Sequence, residues 1–381
     1  MSASLFDKLF IFEIANNHMG SVAHGLKIIR EVGQVSTEFD FKFAFKLQYR
    51  NLNTFIHPDF KGRKDFKYVR RFEETRLNEK KLKALKDEIK NLGFISICTP
   101  FDEDSVSLIE KHEFDMIKIG SCSFNDWPLI ERIVKTDKPV ILSTGGVSVE
   151  DIDKAVAFFE HRKKTFCLLH CVSEYPTSRE NLQLNQIDFM RQRYPDIPIG
   201  FSTHEEPDNL DAIKMAIAKG ATVFERHVGI ESQNYKLNKY SSNPEQIRQW
   251  LSAAKDAFQL CGVSGKFRQV SERERQELRE LKRGVFAARN IKKGERLDIS
   301  NVFFAIPNIK NQLVASDFSK YTEFVSLRQI NKDEPIILAD VEVRNLRDRV
   351  LEIMYEVRKL IMDSRTSLPP KADLELSHHY G

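Results

Sequence analysis

Short apolar runs in this chain end, again and again, on side chains able to do chemistry. The set is Glu13, Lys46, Gln48, Thr99, Lys118, Ser121, Ser173, Ser202, His204, Glu225 and His227. A lysine inside an apolar run is costly to bury without a counter-ion, and Lys46 and Lys118 both lie in such runs. Joined to the hydroxyls of Thr99, Ser121, Ser173 and Ser202, they would line a cradle for a phosphate or a carboxylate. Taken singly, each lysine equally suits a snorkelling stem or a structural ion pair.

His204 and His227 end consecutive runs. Adjacent strands lie ~5 Å apart, so both imidazoles can reach one ion. With no cysteine ligand beside it, the pair points to a divalent cation completed by water and substrate, Mn2+ or Mg2+, rather than to closed structural zinc. A lone histidine at either place would read as a core residue, and Cys171 with His170 is a softer alternative donor pair. Glu13 precedes a polar turn ending at Gly20, where a carboxylate can serve as general base, position a water or cap the next helix.

Lys46 with Gln48, Ser202 with His204, and Glu225 with His227 are each two residues apart, so on strands each pair shares one face. Eight apolar runs begin near residues 8, 40, 93, 114, 139, 166, 197 and 222, separated by charged, helix-like segments. That repeat favours a closed (β/α)8 barrel over an open doubly wound sheet, with the run ends gathered at one face. The wide second gap holds the basic run HPDFKGRKDFKYVRR, expected as a solvated loop, then a helix with Leu82, Leu85 and Ile89 on one face, ending at Gly93.

The barrel domain is expected over 1–265, its last part a helix over about 244–261, with a charged linker over 266–282. A small β-rich module should follow over 283–345, then residues 346–381. There Leu346, Val350, Ile353, Val357 and Leu360 repeat at helical spacing, a stripe expected to pack on the module. The ending SLPPKADLELSHHYG reads as the start of a further segment of a longer protein.

Composition excludes several classes. The 59 Lys+Arg against 55 Asp+Glu leave a charge of +4, too small and too mixed for a nucleic-acid or membrane surface. No apolar stretch is long enough to span a bilayer, and the five cysteines form no CxxC pair, reading as reduced thiols of a cytoplasmic protein.

The segments EIANNHMG, FKLQ, CTPFDEDS, IKIGSCSFNDWPLIERI, KPVILSTGG, LLHCVSEYPT, IPIGFSTHE and ATVFERHVG together resemble the sialic acid (N-acetylneuraminate) synthases. Members of that family condense phosphoenolpyruvate with an N-acyl amino sugar. RGVFAARNIKKGE onward resembles the antifreeze-like (SAF) module that follows the barrel in these enzymes.

The resemblance implies a (β/α)8 TIM barrel followed by a SAF domain, with His204 and His227 as ligands of Mn2+ or Mg2+. It implies Lys46, Thr99, Lys118, Ser121 and Ser202 as the phosphoenolpyruvate cradle, with Ser173 also on it. Glu13 and Tyr175 match positions beside the reacting sugar and water, and Gln48 and Glu225 fall at neighbouring motif positions. It further implies a domain-swapped homodimer, the module of one subunit covering the barrel mouth of the other.

Two segments depart from the family pattern. Asn238 stands where the family places an aspartate that holds sugar hydroxyls, and Ile306 stands where it places an arginine. Sugar recognition is therefore expected to differ while the phosphoenolpyruvate half is complete. The rival readings are an aldol-type synthase for a phosphorylated sugar, needing an arginine cluster for which Arg63, Arg70 and Arg71 are the candidates, and a non-catalytic sugar-binding relative.

Overall fold

The computed structural model describes residues 5–263, 265–318, 321–345 and 347–363. The chain divides into two compact units, Met1–Gly265 and Lys266–Gly381. In the first, eight parallel strands close into a barrel in chain order: β1 (Leu9–Glu13), β2 (Lys42–Tyr49), β3 (Ile95–Pro100), β4 (Met116–Ile119), β5 (Val140–Ser143), β6 (Phe166–Cys171), β7 (Ile199–Thr203) and β8 (Val223–His227). The eight apolar runs of the sequence are these eight strands.

The intervening helices are α1 (Val22–Ser36), α2 (Leu52–Phe55), α3 (Lys67–Glu74), α4 (Glu79–Asn91), α5 (Glu103–Lys111), α6 (Trp127–Val134), α7 (Val149–His161), α8 (Asn185–Arg193), α9 (Asp211–Ala218) and α10 (Pro244–Cys261). The basic run expected as loop thus contributes α3. Leu82, Leu85 and Ile89 of α4 are buried, and Gly93 follows the helix at a φ of +82°, where a side chain would be strained. The N-cap of α1 is Ser21, whose side chain accepts from the His24 amide, so Glu13 is not the cap.

Two cores follow from strand alternation. Outward-facing residues such as Phe10, Phe12, Phe45 and Phe224 pack against the helix layer, together with Trp250 of α10. Inward-facing Leu9, Ile11, Ala44, Ile97, Met116, Ile141, Cys167, Leu169 and Val223 fill the lower part of the barrel. Gly200 of β7 belongs to this crowded interior: a Cβ there would lie 2.3 Å from the Val223 carbonyl oxygen.

The second unit begins with α11 (Glu272–Glu280), inside the stretch read as a linker. This helix is tied to the β-rich module, since the Asn308 amide donates to the Arg279 and Lys282 carbonyls at 2.8 and 2.7 Å. Two small antiparallel sheets come next: β9 (Gly284–Ala287) with β11 (Val302–Ala305), and β10 (Arg296–Leu297), β12 (Thr322–Ser326) and β13 (Val341–Asn345). Val285, Ile291, Leu297, Phe324 and Ile336 form their core.

The expected final helix is α12 (Arg347–Asp363), but its stripe does not bury itself on the module. Ile353, Val357 and Leu360 are exposed, because the small sheets fill their core with their own side chains; Leu346 lies outside the described residues. The segment 364–381, read as the start of something further, also lies outside them. All five cysteines are free; Cys98, Cys167 and Cys171 are buried, whereas Cys122 and Cys261 are exposed. Among the described residues no helix is long and apolar enough to cross a membrane.

Candidate active site

The inward face of each strand changes character along its length. Leu9 and Ile11 are followed by Glu13, Ala44 by Lys46, Ile97 by Thr99, Met116 by Lys118, Ile141 by Ser143, and Val223 by Glu225 and His227, each step two residues. The apolar members plug the barrel floor, and the polar members stand together toward the C-terminal ends of the strands. Strand register sets them side by side: Glu13 pairs with Lys46 on one flank and with His227 on the other, and Ser202 pairs with Glu225.

At the centre are four buried charges. Lys46 Nζ lies 2.5 Å from Glu13 Oε2 and 2.9 Å from Glu225 Oε2. Lys118 Nζ lies 3.4 Å from Glu225 Oε1 and donates to Ser143 Oγ at 2.6 Å, while Ser202 Oγ donates to Glu225 Oε1 at 3.0 Å. Glu13 Oε1 accepts from the Ala15 amide at 2.5 Å.

Burial pushes the Glu225 carboxyl up, but the Lys118 and Lys46 ammonium groups outweigh it and hold the group well below the usual carboxylate range. Burial likewise opposes the charge on Lys46, which its two carboxylates raise overall. Lys118, facing Glu225 across the longer gap, is lowered by burial. Both lysines are thus ion-paired, and the two positive and two negative charges cancel.

Above this centre sit the histidines, ring centroids 5.3 Å apart. His204 Nδ1 lies 2.9 Å from the Val172 carbonyl oxygen, which fixes the proton on that nitrogen and leaves the Nε2 lone pair for a ligand. Burial, reinforced by the partner imidazole for His204 and by Lys46 for His227, lowers both to about 3, so both rings are neutral near pH 7. Neutral imidazoles are the ligand form. No group of three or more His, Cys, Asp or Glu able to hold a metal occurs among the described residues, so a cation here would take its other ligands from water or substrate. Tyr175 lies 4.3 Å from the His204 ring and Tyr240 stands edge-on to His227 at 5.2 Å, giving the pair an aromatic wall.

A second feature of the mouth is crowding around Gly145. Its amide donates to Ser121 Oγ at 3.0 Å, and a Cβ there would lie 2.4 Å from Ser173 Oγ and 2.9 Å from Ser121 Oγ. Glycine therefore lets the Ser121 and Ser173 hydroxyls crowd against one stretch of backbone, where a side chain would displace them. Thr99 Oγ1 is buried with no hydrogen-bond partner in the protein, a cost normally met by a ligand or water.

The segment after β8 closes over the first loop. The Asn238 amide donates to Asn17 Oδ1 at 3.3 Å, and Asn17 donates to the Val228 carbonyl at 2.8 Å and to Ser241 Oγ at 3.0 Å. Buried Arg226 ties the same segment down through Ser242 Oγ at 2.7 Å and Glu205 Oε1 at 3.1 Å. Asn238 thus commits one of its two amide N–H donors, and its Oδ1, which accepts from the Tyr240 amide at 3.2 Å, to the fold.

Of the residues expected from sequence, Glu13, Lys46, Lys118, Ser202, Glu225, His204 and His227 converge, with Tyr175 over His204. Ser121 and Ser173 meet at Gly145, and Thr99 is buried on the inward face of β3. Gln48 turns elsewhere: its Oε1 accepts from Arg50 Nη2 at 2.7 Å, and it lines a separate small cavity. Of the arginine candidates, Arg63 is paired with Asp65. Sequence reasoning passed over Ser143, although it ends its run as the others do. It also missed Tyr240, Gly145 and Arg226, whose partners lie outside their own motifs, on neighbouring strands and loops.

Comparison with known proteins points the same way. The NeuB family model matches residues 43–266. A Methanocaldococcus jannaschii protein of uncharacterised role is 30% identical over 84% of this chain and 88% of its own. The Campylobacter jejuni (strain 81-176) pseudaminic acid synthase is 26% identical over 83% and 94%. Among solved structures, one from Chromobacterium violaceum, described as a putative spore coat polysaccharide biosynthesis protein E, is 53% identical with a TM-score of 0.86, covering 88% of this chain and 99% of that one. The sialic acid synthetase of Leptospira borgpetersenii gives 25% identity and a TM-score of 0.61 over 71% and 91%.

Proposed function

We propose that this chain, which belongs to the NeuB family and is an enzyme of the nonulosonic acid synthase type, condenses phosphoenolpyruvate with an amino-sugar aldose, releasing phosphate by C–O cleavage. The observation that carries the reading is the in-register placement of Glu13, Lys46 and His227 beside Ser202 and Glu225, on a barrel whose inward face turns ionic only at this end.

In this reading Lys46 and Lys118, with the hydroxyls of Thr99, Ser121 and Ser202, bind phosphoenolpyruvate, and Ser173 joins Ser121 at Gly145. His204 and His227 would hold a divalent cation, Mn2+ or Mg2+, which when bound polarises the aldehyde of the acceptor. Charge balance supports it: the four central charges already cancel, whereas a phosphate monoester brings about −1.5 to −2 and its carboxylate one more. The methylene carbon of phosphoenolpyruvate attacks the aldehyde, and water adds to the neighbouring cationic carbon. In this reading Glu13 takes the proton from that water and returns it to the oxygen of the former aldehyde, which becomes a hydroxyl, and collapse of the tetrahedral species expels phosphate. Tyr175 packs against the sugar, and Asn238 shapes its site through Asn17. The protein works as a cytoplasmic homodimer.

Phosphate release from bridging-18O phosphoenolpyruvate, with a panel of 2-acetamido aldoses and Mn2+, tests this. Label retained in the phosphate is expected. Turnover with label left in the sugar acid, or no phosphoenolpyruvate binding by calorimetry, rejects it.

A further inference from the structure

Outside the ionic centre, on the outer side of the barrel wall, a second buried ion pair stands behind the two histidines. Alternation along β8 sends Glu225 and His227 inward and Arg226 outward, where Arg226 lies in register with Thr203 of β7. Its side chain is wholly buried, the guanidinium 5.7 Å from the centre of the Trp250 ring of α10.

All three guanidinium nitrogens are engaged. Nη1 donates to Glu205 Oε1 at 3.1 Å and Nη2 to the Glu205 carbonyl at 3.5 Å, while Nε donates to Ser242 Oγ at 2.7 Å. Glu205 is the residue after His204, and Ser242 is bound to the other histidine, its amide donating to the His227 carbonyl at 2.9 Å. One rigid fork therefore grips the chain beside each imidazole, from outside the barrel.

The grip bears most on His227. His204 is also fixed through its own Nδ1, against the Val172 carbonyl. Among the described residues no group hydrogen-bonds the His227 ring, which is placed by its backbone and by ring packing. A ligand imidazole ordinarily takes its orientation from a partner on its second nitrogen, and here the strand end must supply it.

Energetics point away from a role in stability alone. A buried ion pair gives little over apolar side chains of the same size, and this one leaves Glu205 Oε2 buried without a partner. What a planar guanidinium bonded at three nitrogens does supply is a fixed spacing between the segments it joins.

Resting on the reading that His204 and His227 hold a divalent cation, we propose that Arg226 is a positioning residue. By joining Glu205 to Ser242 it sets the separation of the two imidazoles, whose ring centroids stand 5.3 Å apart, and with it the affinity for the cation.

The test is Mn2+ binding to the full chain, measured by calorimetry in the absence of acceptor. The double variant Glu205→Met/Arg226→Met removes both charges and keeps the volume they fill, so its melting temperature should stay close to that of the unaltered protein. Its Kd for Mn2+ should rise about tenfold or more, as on losing a group that orients a metal ligand. The nitrogen modulation that two imidazoles give the spin-echo signal of bound Mn2+ should weaken with it. The Kd for phosphoenolpyruvate, read on the same samples, should stay within about twofold, because Lys46 and Lys118 lie on the inward face and share no partner with Arg226. Ser242→Ala removes one arm of the fork and should weaken Mn2+ binding in the same direction, which keeps the test decisive if the double variant does not fold. Unchanged Mn2+ affinity in a folded variant, or equal losses for Mn2+ and phosphoenolpyruvate, overturns the positioning role. His204→Ala controls the underlying reading: if the unaltered protein binds no Mn2+, or His204→Ala binds it equally well, that reading falls too. Mn2+ bound by the unaltered protein, lost in His204→Ala and undiminished in the double variant defeats this inference alone.

Discussion

Glu225 is the hub of the buried ionic centre, and replacing it by glutamine separates charge from shape. Glu225→Gln keeps an acceptor for Ser202 but removes the negative charge near Lys46 and Lys118. Lys46 retains Glu13 at 2.5 Å; Lys118 retains only the Ser143 hydroxyl. Breaking a buried pair by removing one partner costs ~3–5 kcal/mol. The loss is capped, because Lys118 can release its proton: keeping a lysine of ordinary pKa ~10.4 neutral at pH 7 costs ~4.6 kcal/mol. The variant should therefore lose about 3–4.5 kcal/mol, lowering the melting temperature of the barrel by roughly 10 °C at the ~2–4 °C per kcal/mol typical of units this size. Thermal and urea unfolding of the full chain at pH 7 measure it. Adding Lys118→Met removes the stranded ammonium, so the double variant should recover about 2 kcal/mol relative to additive losses. Additivity within about 0.5 kcal/mol would refute the ionic-hub argument.

His18 is lowered to about 4 by burial and then Arg71, against an ordinary 6.5, so the unfolded chain binds the proton first. Its contribution is complete above about pH 6.5 and is lost as pH falls toward 4, costing about 2 kcal/mol by pH 5; His18→Gln should flatten that part of the stability–pH curve, and an unchanged slope counts against it. Thr99→Val removes a buried hydroxyl with no protein partner, so stability should stay within about 0.5 kcal/mol while the KM for phosphoenolpyruvate rises about tenfold; destabilisation without a KM change would mean the hydroxyl serves the fold. Gly200→Ala drives a methyl into the Val223 carbonyl and the Leu169 side chain; overpacking of ~1–3 kcal/mol or more is expected in urea unfolding, and a neutral result would contradict the tight barrel floor.

The barrel was legible because its signal is local: apolar runs with chemistry-bearing residues two apart report both strand and facing. That rule located Glu13, Lys46, Lys118, Ser202, Glu225 and the histidines, and it would have found Ser143 in VILSTGG had every run end been weighed alike. It misplaced Gln48, since alternation gives the face of a strand but not which way a long side chain turns at its end; Arg50, two residues on, draws it aside. Tyr240, Arg226 and the Asn17–Asn238 link escaped because their meaning depends on loops meeting across more than two hundred residues or on a partner outside the motif. The stripe of α12 was read correctly as a helix but not as exposed, because periodicity tells which residues share a face, not whether anything covers it.

The apolar plug of Leu9, Ile11, Ala44, Met116 and Leu169 makes the barrel a cul-de-sac. In the synthase reading proposed above, a group that settles on Lys118 and Thr99 would reach them from the C-terminal side of the strands, where Tyr175 and Tyr240 stand against the histidines, and we expect it to add before a molecule that rests against the tyrosines.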